Sequence, residues 1–123
     1  MQYMLLIYLD EQALSETERE DCYRASTQFA NQLNASGQYL GAAPLHPTST
    51  ATSVRIRDGK PLVTDGPFAE TREQLGGFFL VDAKDLDEAI GIAARIPAGR
   101  WGTVEIRPVV QVAGLPAERA YIA

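Results

Sequence analysis

Two segments that are predicted as β-strands are apolar on both faces, and this feature constrains the fold more than any other. They are residues 2–9 and Phe78 to Val81. A strand of this kind has to be covered on both sides, by helices or by another sheet. We therefore expect both strands at the centre of a sheet whose two faces are buried. In the first strand, the two faces consist of Tyr3, Leu5, Ile7 and Leu9 and of Met4, Leu6 and Tyr8.

Capping signals predict two helices. Ser15 and Glu18 form a capping box, and the first helix is expected to end near Ser36, before Gly37. Asp85 is the N-cap of the second helix, which Pro97 ends. Apolar residues at helical spacing predict the buried stripes, which are Cys22, Phe29 and Leu33 with Ala25 and Ala30 in the first helix and Leu86, Ala89, Ile90 and Ala93 in the second.

The remaining strands complete a ferredoxin-like pattern. A short strand is predicted from Gln38 to Ala43, and the last strand runs from Thr103 to Val109. Between them, Asp58-Gly59 separates two strand-like runs, 53–57 and 61–64, which predicts an inserted hairpin. The order β-α-β, hairpin, β-α-β is typical of an α+β split βαβ sheet with both helices on one face. The first and third main strands are then central.

This arrangement has a consequence for assembly. With both helices on one face, the apolar residues of the opposite face stay exposed in a monomer, which is uncommon for a patch of that size. A second copy packed sheet on sheet covers them, so we expect a homodimer.

The length, charge and cysteine content of the chain limit the classes of function that it can have. A chain of 123 residues is one domain by default, and we assign residues 1–110 to it and 111–123 to a C-terminal tail. The net charge of −5 and the absence of a dense basic run predict no nucleic-acid partner. The apolar run from Tyr3 to Leu9 is too short to span a bilayer, so no membrane partner is expected. The single cysteine favours a reducing, cytoplasmic location.

Residues 65–77 carry a resemblance to a known family. They read Asp-Gly-Pro-Phe-Ala-Glu-Thr-Arg-Glu-Gln-Leu-Gly-Gly, and this block resembles the signature of the DGPF branch of the YCII-related family. The match continues in residues 3–8, 51–60 and 93–97. The resemblance implies a ferredoxin-like fold that pairs as a dimeric α/β barrel. Its superfamily includes cofactor-free enzymes, and similar proteins often accompany extracytoplasmic-function sigma factors.

Candidate site residues cluster at this signature. Asp65 is either a turn-forming residue or a carboxylate at a pocket mouth that acts as a base. Glu70, Arg72 and Glu73 form either a solvated surface or a polar lip that binds a small charged ligand.

Arginines on two strands form a second candidate group. Arg55 and Arg57 share one polar face, and Arg107 shares another with Glu105. If these faces look between two subunits, Arg55 or Arg107 would hold the carboxylate or phosphate of a small anionic molecule. If they face water, they are ordinary surface residues. The choice depends on strand register, which stays open.

Histidine and cysteine chemistry receives little support from the sequence. Some YCII relatives carry a histidine on the first helix that is thought to pair with an aspartate, but residues 23–27 contain no histidine here. His46, between Leu45 and Pro47, is the only histidine, and both a catalytic and a structural role are open to it. Cys22 is expected in the core rather than as a nucleophile. One cysteine and one histidine give no metal-ligand spacing, and no cofactor motif is present.

Two functions from different classes fit these observations. The first is a small-molecule-binding protein, in one version a cofactor-free enzyme in which Asp65 is the acid/base group. The alternative is a non-catalytic accessory or regulatory protein linked to sigma-factor signalling.

Overall fold

The computed structural model describes residues 1–116, and the predicted tail beyond residue 116 lies outside the described residues. Short 3-10 helices are present at Glu11–Ala13, Thr48–Thr50 and Pro97–Trp101. The main elements, in chain order, are β1 (Gln2–Leu9), α1 (Glu16–Ala35), β2 (Tyr39–Pro44), β3 (Thr52–Arg57), β4 (Lys60–Asp65), β5 (Gln74–Asp82), α2 (Leu86–Ala94) and β6 (Gly102–Pro108).

Four strands form one antiparallel sheet in the order β2-β5-β1-β6. The two strands that are apolar on both faces, β1 and β5, occupy the centre, as their composition predicts. Strands β3 and β4 pair with each other in a separate two-stranded sheet. The fold is therefore α+β and ferredoxin-like, with the hairpin inserted between β2 and β5.

Both helices pack on the same face of the four-stranded sheet and form the core with it. Leu5 of β1 and Val81 of β5 are fully buried there, beneath Leu33 of α1 and Ile92 of α2. The rings of Phe29 and Phe79 meet edge to face with centroids 5.7 Å apart. Because side chains alternate along a strand, the other apolar set of β1 lies on the opposite face, which neither helix covers.

The register between β1 and β6 places charged residues on that opposite face. Leu6 lies opposite Glu105, and Met4 lies opposite Arg107. Glu105 and Arg107 therefore share a sheet face with apolar side chains of β1. Their side chains are joined by an ion pair of 3.3 Å.

The first helix confirms its predicted start. The Ser15 hydroxyl accepts a hydrogen bond from the N–H of Glu18, and the Glu18 carboxylate accepts one from the N–H of Ser15. The helix ends at Ala35, two residues before Gly37, which has a φ of 76°.

The predicted stripe of the second helix is partly wrong. Ala89 and Ala93 are buried as predicted, but Ile92 is buried with them. Leu86 and Ile90 are 51% and 47% exposed. The helix contains more apolar residues than one face can hold, so its pattern allows two rotations about the axis. Packing the small alanine side chains inward brings the helix close to the sheet.

β5 and β2 include glycine and proline residues that were predicted to lie outside them. β5 begins at Gln74, because Gly76 and Gly77 continue the strand, with a register shift in its pairing to β1 between Ile7 and Tyr8. β2 includes Pro44, which pairs with Gly77. A proline is tolerated there because β2 is an edge strand of the sheet, where an N–H is not required on the outer side.

Candidate functional site

A cavity of about 470 Å³ lies between α1 and the half of the sheet that contains β2 and β5. Its volume is in the range typical of small-molecule sites. Buried residues, including Ile7, Cys22 and Phe79, form its floor. Exposed residues mark its mouth, among them Tyr23, Thr27, Asn31, Leu45 and His46.

Small side chains on both walls create this space. On α1, Cys22, Ser26 and Ala30 recur every four residues and so point in the same direction. The sheet wall opposite them includes Ala42 of β2 and Gly77 of β5. Neither wall has a long side chain at these positions, so the elements enclose a cavity instead of a filled core.

Pro44 at the end of β2 and residues 45–47 after it line the mouth of the cavity. Gly77 allows the close approach of this segment, because a Cβ there would lie 2.8 Å from the carbonyl oxygen of Ala43 and 3.2 Å from the Cα of Pro44. The N–H of Leu45 donates to the carbonyl oxygen of Gly76 at 2.9 Å. The last two glycines of the signature thus position one side of the cavity.

Glu11 anchors the other end of this segment. Its carboxylate accepts hydrogen bonds from the N–H of Thr48, at 3.1 and 3.2 Å, and from the Thr48 hydroxyl at 3.2 Å. The N–H of Glu11 donates to the side-chain oxygen of Gln74 at 3.1 Å. Arg19 donates to the carbonyl oxygen of Glu11 at 3.3 Å, which brings a guanidinium to the cavity wall.

The thiol of Cys22 is a neutral group in the cavity floor. Burial raises its pKa, and a hydrogen bond with Ser26 and the positive charge of Arg100 oppose this effect only in part. The thiol is consequently a poor nucleophile near neutral pH. Its buried position confirms the prediction that Cys22 belongs to the core.

The predicted site residues of the signature lie elsewhere. Asp65 ends β4 and is exposed, and it forms no side-chain hydrogen bond within the described residues. Glu70 and Arg72 are exposed in the loop between β4 and β5. Arg55 is exposed on β3, with its guanidinium 5.5 Å from the ring centroid of Phe68. Arg55 and Phe68 thus join the hairpin to the signature loop, away from the cavity lining.

Arg107 and His46 have different surroundings. Arg107 is exposed on the sheet face opposite the helices, paired with Glu105. His46 is exposed and lines the cavity mouth. Of the residues considered from sequence for acid/base, nucleophilic or ligand-binding chemistry, His46 and Cys22 are therefore the two that the structure places at the cavity.

Sequence reasoning missed most of the cavity residues. Glu11, Arg19, Tyr23 and Ser26 all line it. Cys22, Ser26 and Ala30 recur every four residues on α1, but small side chains at this spacing do not distinguish a cavity wall from close packing. No local sequence pattern indicated Glu11, because its partner Thr48 is distant in the chain.

The sequence of the chain matches the model of the YCII-related domain over residues 1–113. An uncharacterised protein of Rhizobium meliloti (strain 1021) is 38% identical over 114 residues, which are 89% of this chain and 92% of that protein. The chain belongs to the YCII-related family. This assignment confirms the resemblance carried by residues 65–77.

A solved structure shares the fold of this YCII-related protein. It is the 5-chloro-2-hydroxyhydroquinone dehydrochlorinase of Burkholderia phenoliruptrix AC1100, in complex with 2,5-dihydroxybenzoquinone. The TM-score is 0.57 at 16% identity, and the likeness covers 91% of this chain and 96% of the other. An identity this low shows the fold alone.

Membrane-spanning helices and clustered metal ligands are both absent from the part of the chain that the structure describes. No helix within residues 1–116 combines the length and apolarity needed to cross a bilayer. In the same range, no three His, Cys, Asp or Glu side chains converge as a metal site would require.

Proposed function

We propose that this protein binds a small, largely apolar molecule with an anionic end in the cavity beneath α1. The observation that carries the proposal is the cavity itself, about 470 Å³ between α1 and β2–β5. Its floor is apolar, whereas its rim carries the guanidinium of Arg19 and the imidazole of His46. An apolar site with a few polar groups at one end is the usual form of a small-molecule site.

The related fold supports the choice of ligand class. The dehydrochlorinase structure contains 2,5-dihydroxybenzoquinone, a flat ring with acidic hydroxyl groups. A molecule of that shape combines an apolar ring, which suits the floor, with oxygens that Arg19 can bind as a charge-assisted hydrogen-bond donor. We therefore use this quinone as the probe for the cavity.

If the protein is an enzyme, His46 is the acid/base group that the geometry favours. Glu11 is engaged by Thr48, and burial keeps the Cys22 thiol neutral. His46 lies free of these constraints at the mouth, where it can exchange protons with solvent and reach a bound molecule. No cofactor is needed for proton transfer of this kind.

The assignment of Asp65 as a base stays a separate proposal, together with a ligand-binding role for Arg55, Glu70, Arg72 and Arg107. Asp65→Asn and His46→Gln are close in shape to the native residues and separate the two assignments. Loss of turnover in only one of them identifies the base.

The test of binding is a titration of the wild-type protein with 2,5-dihydroxybenzoquinone. Ala30→Phe fills the cavity from α1 and should weaken binding by at least about tenfold, since it occupies the space of the ring. Gln28→Phe adds the same side chain at an exposed position of α1 that does not line the cavity, and it should bind as the wild type does. Equal affinity in the two variants would contradict the proposal.

Native mass spectrometry covers the case in which the probe is not the right ligand. A small molecule retained by the purified wild-type protein and lost from Ala30→Phe supports the cavity site. A stoichiometric protein partner, with no retained molecule and no binding of the probe, would instead support the accessory role linked to sigma-factor signalling.

We also propose that the protein is a cytoplasmic homodimer. The sheet face opposite the helices carries Met4, Leu6 and Tyr8, which are only half-buried because neither helix covers them. A second copy packed on this face removes its apolar surface from water. Sedimentation of the wild-type protein as a monomer at micromolar concentrations would contradict the dimer. The lone, buried Cys22 is the observation that favours the cytoplasm.

A further inference from the structure

The hairpin β3–β4, residues 52–65, is a second feature that the monomer does not explain, and we refer to it as the arm. Every residue of its two strands except Ser53 is exposed. Asp58 and Gly59 have φ values of 52° and 74°, which a two-residue turn between antiparallel strands requires. The arm is thus a regular hairpin whose two faces are both open to solvent in the monomer.

A hairpin of this kind is not stable by itself. Two isolated strands are marginal in water and need a third strand or a packing surface. The arm is nevertheless apolar, because Val54, Ile56 and Val63 are 60%, 68% and 59% exposed and Leu62 is 50% exposed.

The register places the apolar residues on one side of the arm. Val54 lies opposite Val63, and Ile56 lies opposite Pro61. Since opposite residues of a strand pair point to the same face, these four form one continuous apolar surface. The other face carries Arg55, Arg57 and Lys60 with Leu62.

The charge of the arm differs in sign from that of the remaining chain. The arm contains three basic and two acidic residues, whereas the rest of the sequence contains eight basic and fourteen acidic residues. A surface of this same protein is therefore electrostatically complementary to the arm. On α1, for example, Glu16 and Glu20 are exposed.

From these observations we infer that the arm packs against a second copy of this chain, its apolar face buried and its basic face directed toward acidic surface of the partner. This contact rests on the proposed homodimer and adds to the sheet contact described for it. In a twofold dimer each copy both gives an arm and receives one, so every attractive contact occurs twice. The partner then covers the apolar face of the arm, which is exposed in a single copy of the chain.

The test is the dissociation constant of the dimer, measured by sedimentation equilibrium. Ile56→Glu combined with Val63→Glu places charge on the apolar face, and we expect the dissociation constant to rise by at least about tenfold. The control is Ile90→Glu, which places the same charge at an exposed isoleucine of α2 outside the arm. It should leave the dissociation constant unchanged.

A second variant keeps the test valid if the double glutamate variant loses its hairpin. Arg57→Gln combined with Lys60→Gln removes two charges and leaves the apolar face intact. For the wild type, dimerisation should weaken as salt increases, and this dependence should be smaller in the glutamine variant. Lys84→Gln, an exposed lysine outside the arm, should retain the wild-type salt dependence.

These measurements distinguish the homodimer itself from the arm contact within it. A monomeric wild-type protein would contradict both the homodimer and the arm contact. If the wild type is a dimer and both arm variants dimerise with the wild-type dissociation constant and salt dependence, the arm contact is contradicted. The sheet contact would not be affected by that result.

Discussion

The carboxylate of Glu11 accepts hydrogen bonds from both the backbone N–H and the hydroxyl of Thr48, at distances of 3.1 to 3.2 Å. Thirty-seven positions separate the two residues. The contact joins the turn after β1 to the segment after β2, which carries His46. It therefore holds one side of the cavity mouth in place.

Glu11→Ala should loosen residues 44–50. It leaves the N–H and the hydroxyl of Thr48 without their acceptor, and we expect a loss of roughly 1–3 kcal/mol in the free energy of unfolding. Amide hydrogen exchange at Thr48 should become faster, and affinity for the quinone probe should fall. Thr48→Ser keeps both donors and serves as the control. Unchanged exchange in Glu11→Ala would show that the contact does not hold the segment.

Gly77 and Gly91 should respond with opposite sign to the same change. Gly77→Ala places a Cβ 2.8 Å from the carbonyl oxygen of Ala43, so backbone has to move, and we expect a loss of roughly 1–3 kcal/mol of stability. Gly91 lies inside α2 with open space where a methyl group would be added, so Gly91→Ala should stabilise the protein by up to about 1 kcal/mol. Urea unfolding of both variants measures the difference. A stabilised Gly77→Ala protein would contradict the close approach of β2 and β5.

The thiol of Cys22 should make stability depend on pH in the alkaline range. Burial raises its pKa above the ordinary value of 9.0. The unfolded chain therefore loses the proton first, and the stability contributed by the neutral buried thiol falls as pH rises from about 9 through the folded-state pKa. Cys22→Ala lacks this group, so the difference in unfolding free energy between wild type and variant should shrink across that range. A difference that stays constant would contradict the raised pKa.

Alkylation of the same thiol reports on the cavity. At neutral pH we expect iodoacetamide to modify Cys22 more slowly than a free cysteine in solution, because the reactive thiolate is scarce and the side chain is buried. The quinone probe should slow the reaction further in the wild type if it occupies the cavity. Protection should be absent in Ala30→Phe. Rapid modification that the probe does not affect would argue against a ligand above Cys22.

The capping box of α1 provides a prediction that is independent of the cavity. Ser15→Ala removes the acceptor for the N–H of Glu18 and should cost about 1 kcal/mol of stability. Thr17→Ala, two residues later and exposed, makes no such contact in the described structure and should have a much smaller effect. Thermal unfolding of the two variants compares them directly. Equal effects would mean that Ser15 contributes nothing specific as a cap.

Local signals predicted the scaffold well. The two strands with apolar residues on both faces, the capping box at Ser15 and the turn at Asp58-Gly59 each depend on residues close in sequence. Each of them forms where it was predicted, although β5 begins earlier, at Gln74. The rotation of α2 was not determined by its sequence, because Leu86 and Ile90 are as apolar as the buried Ile92, and only packing on the sheet selects between them.

The cavity was beyond the reach of local signals. It exists because Ser26 and Ala30 of α1 face Ala42 and Gly77 across a gap, and this juxtaposition depends on the register of β2 with β5. Small residues carry no pattern that distinguishes a cavity wall from tight packing. The sequence predicted a site at the charged residues of the signature instead, but Asp65 lies on the surface at the end of β4.

The most direct test of the central claim is an NMR titration of the isotope-labelled protein with 2,5-dihydroxybenzoquinone. We predict that the amide shifts of Ala30, Ala42 and His46, which surround the cavity, change in a saturable manner. Those of Asp65, Glu70 and Arg72 should change much less. Saturable changes confined to the signature loop, with the cavity amides unaffected, would contradict the cavity as the binding site.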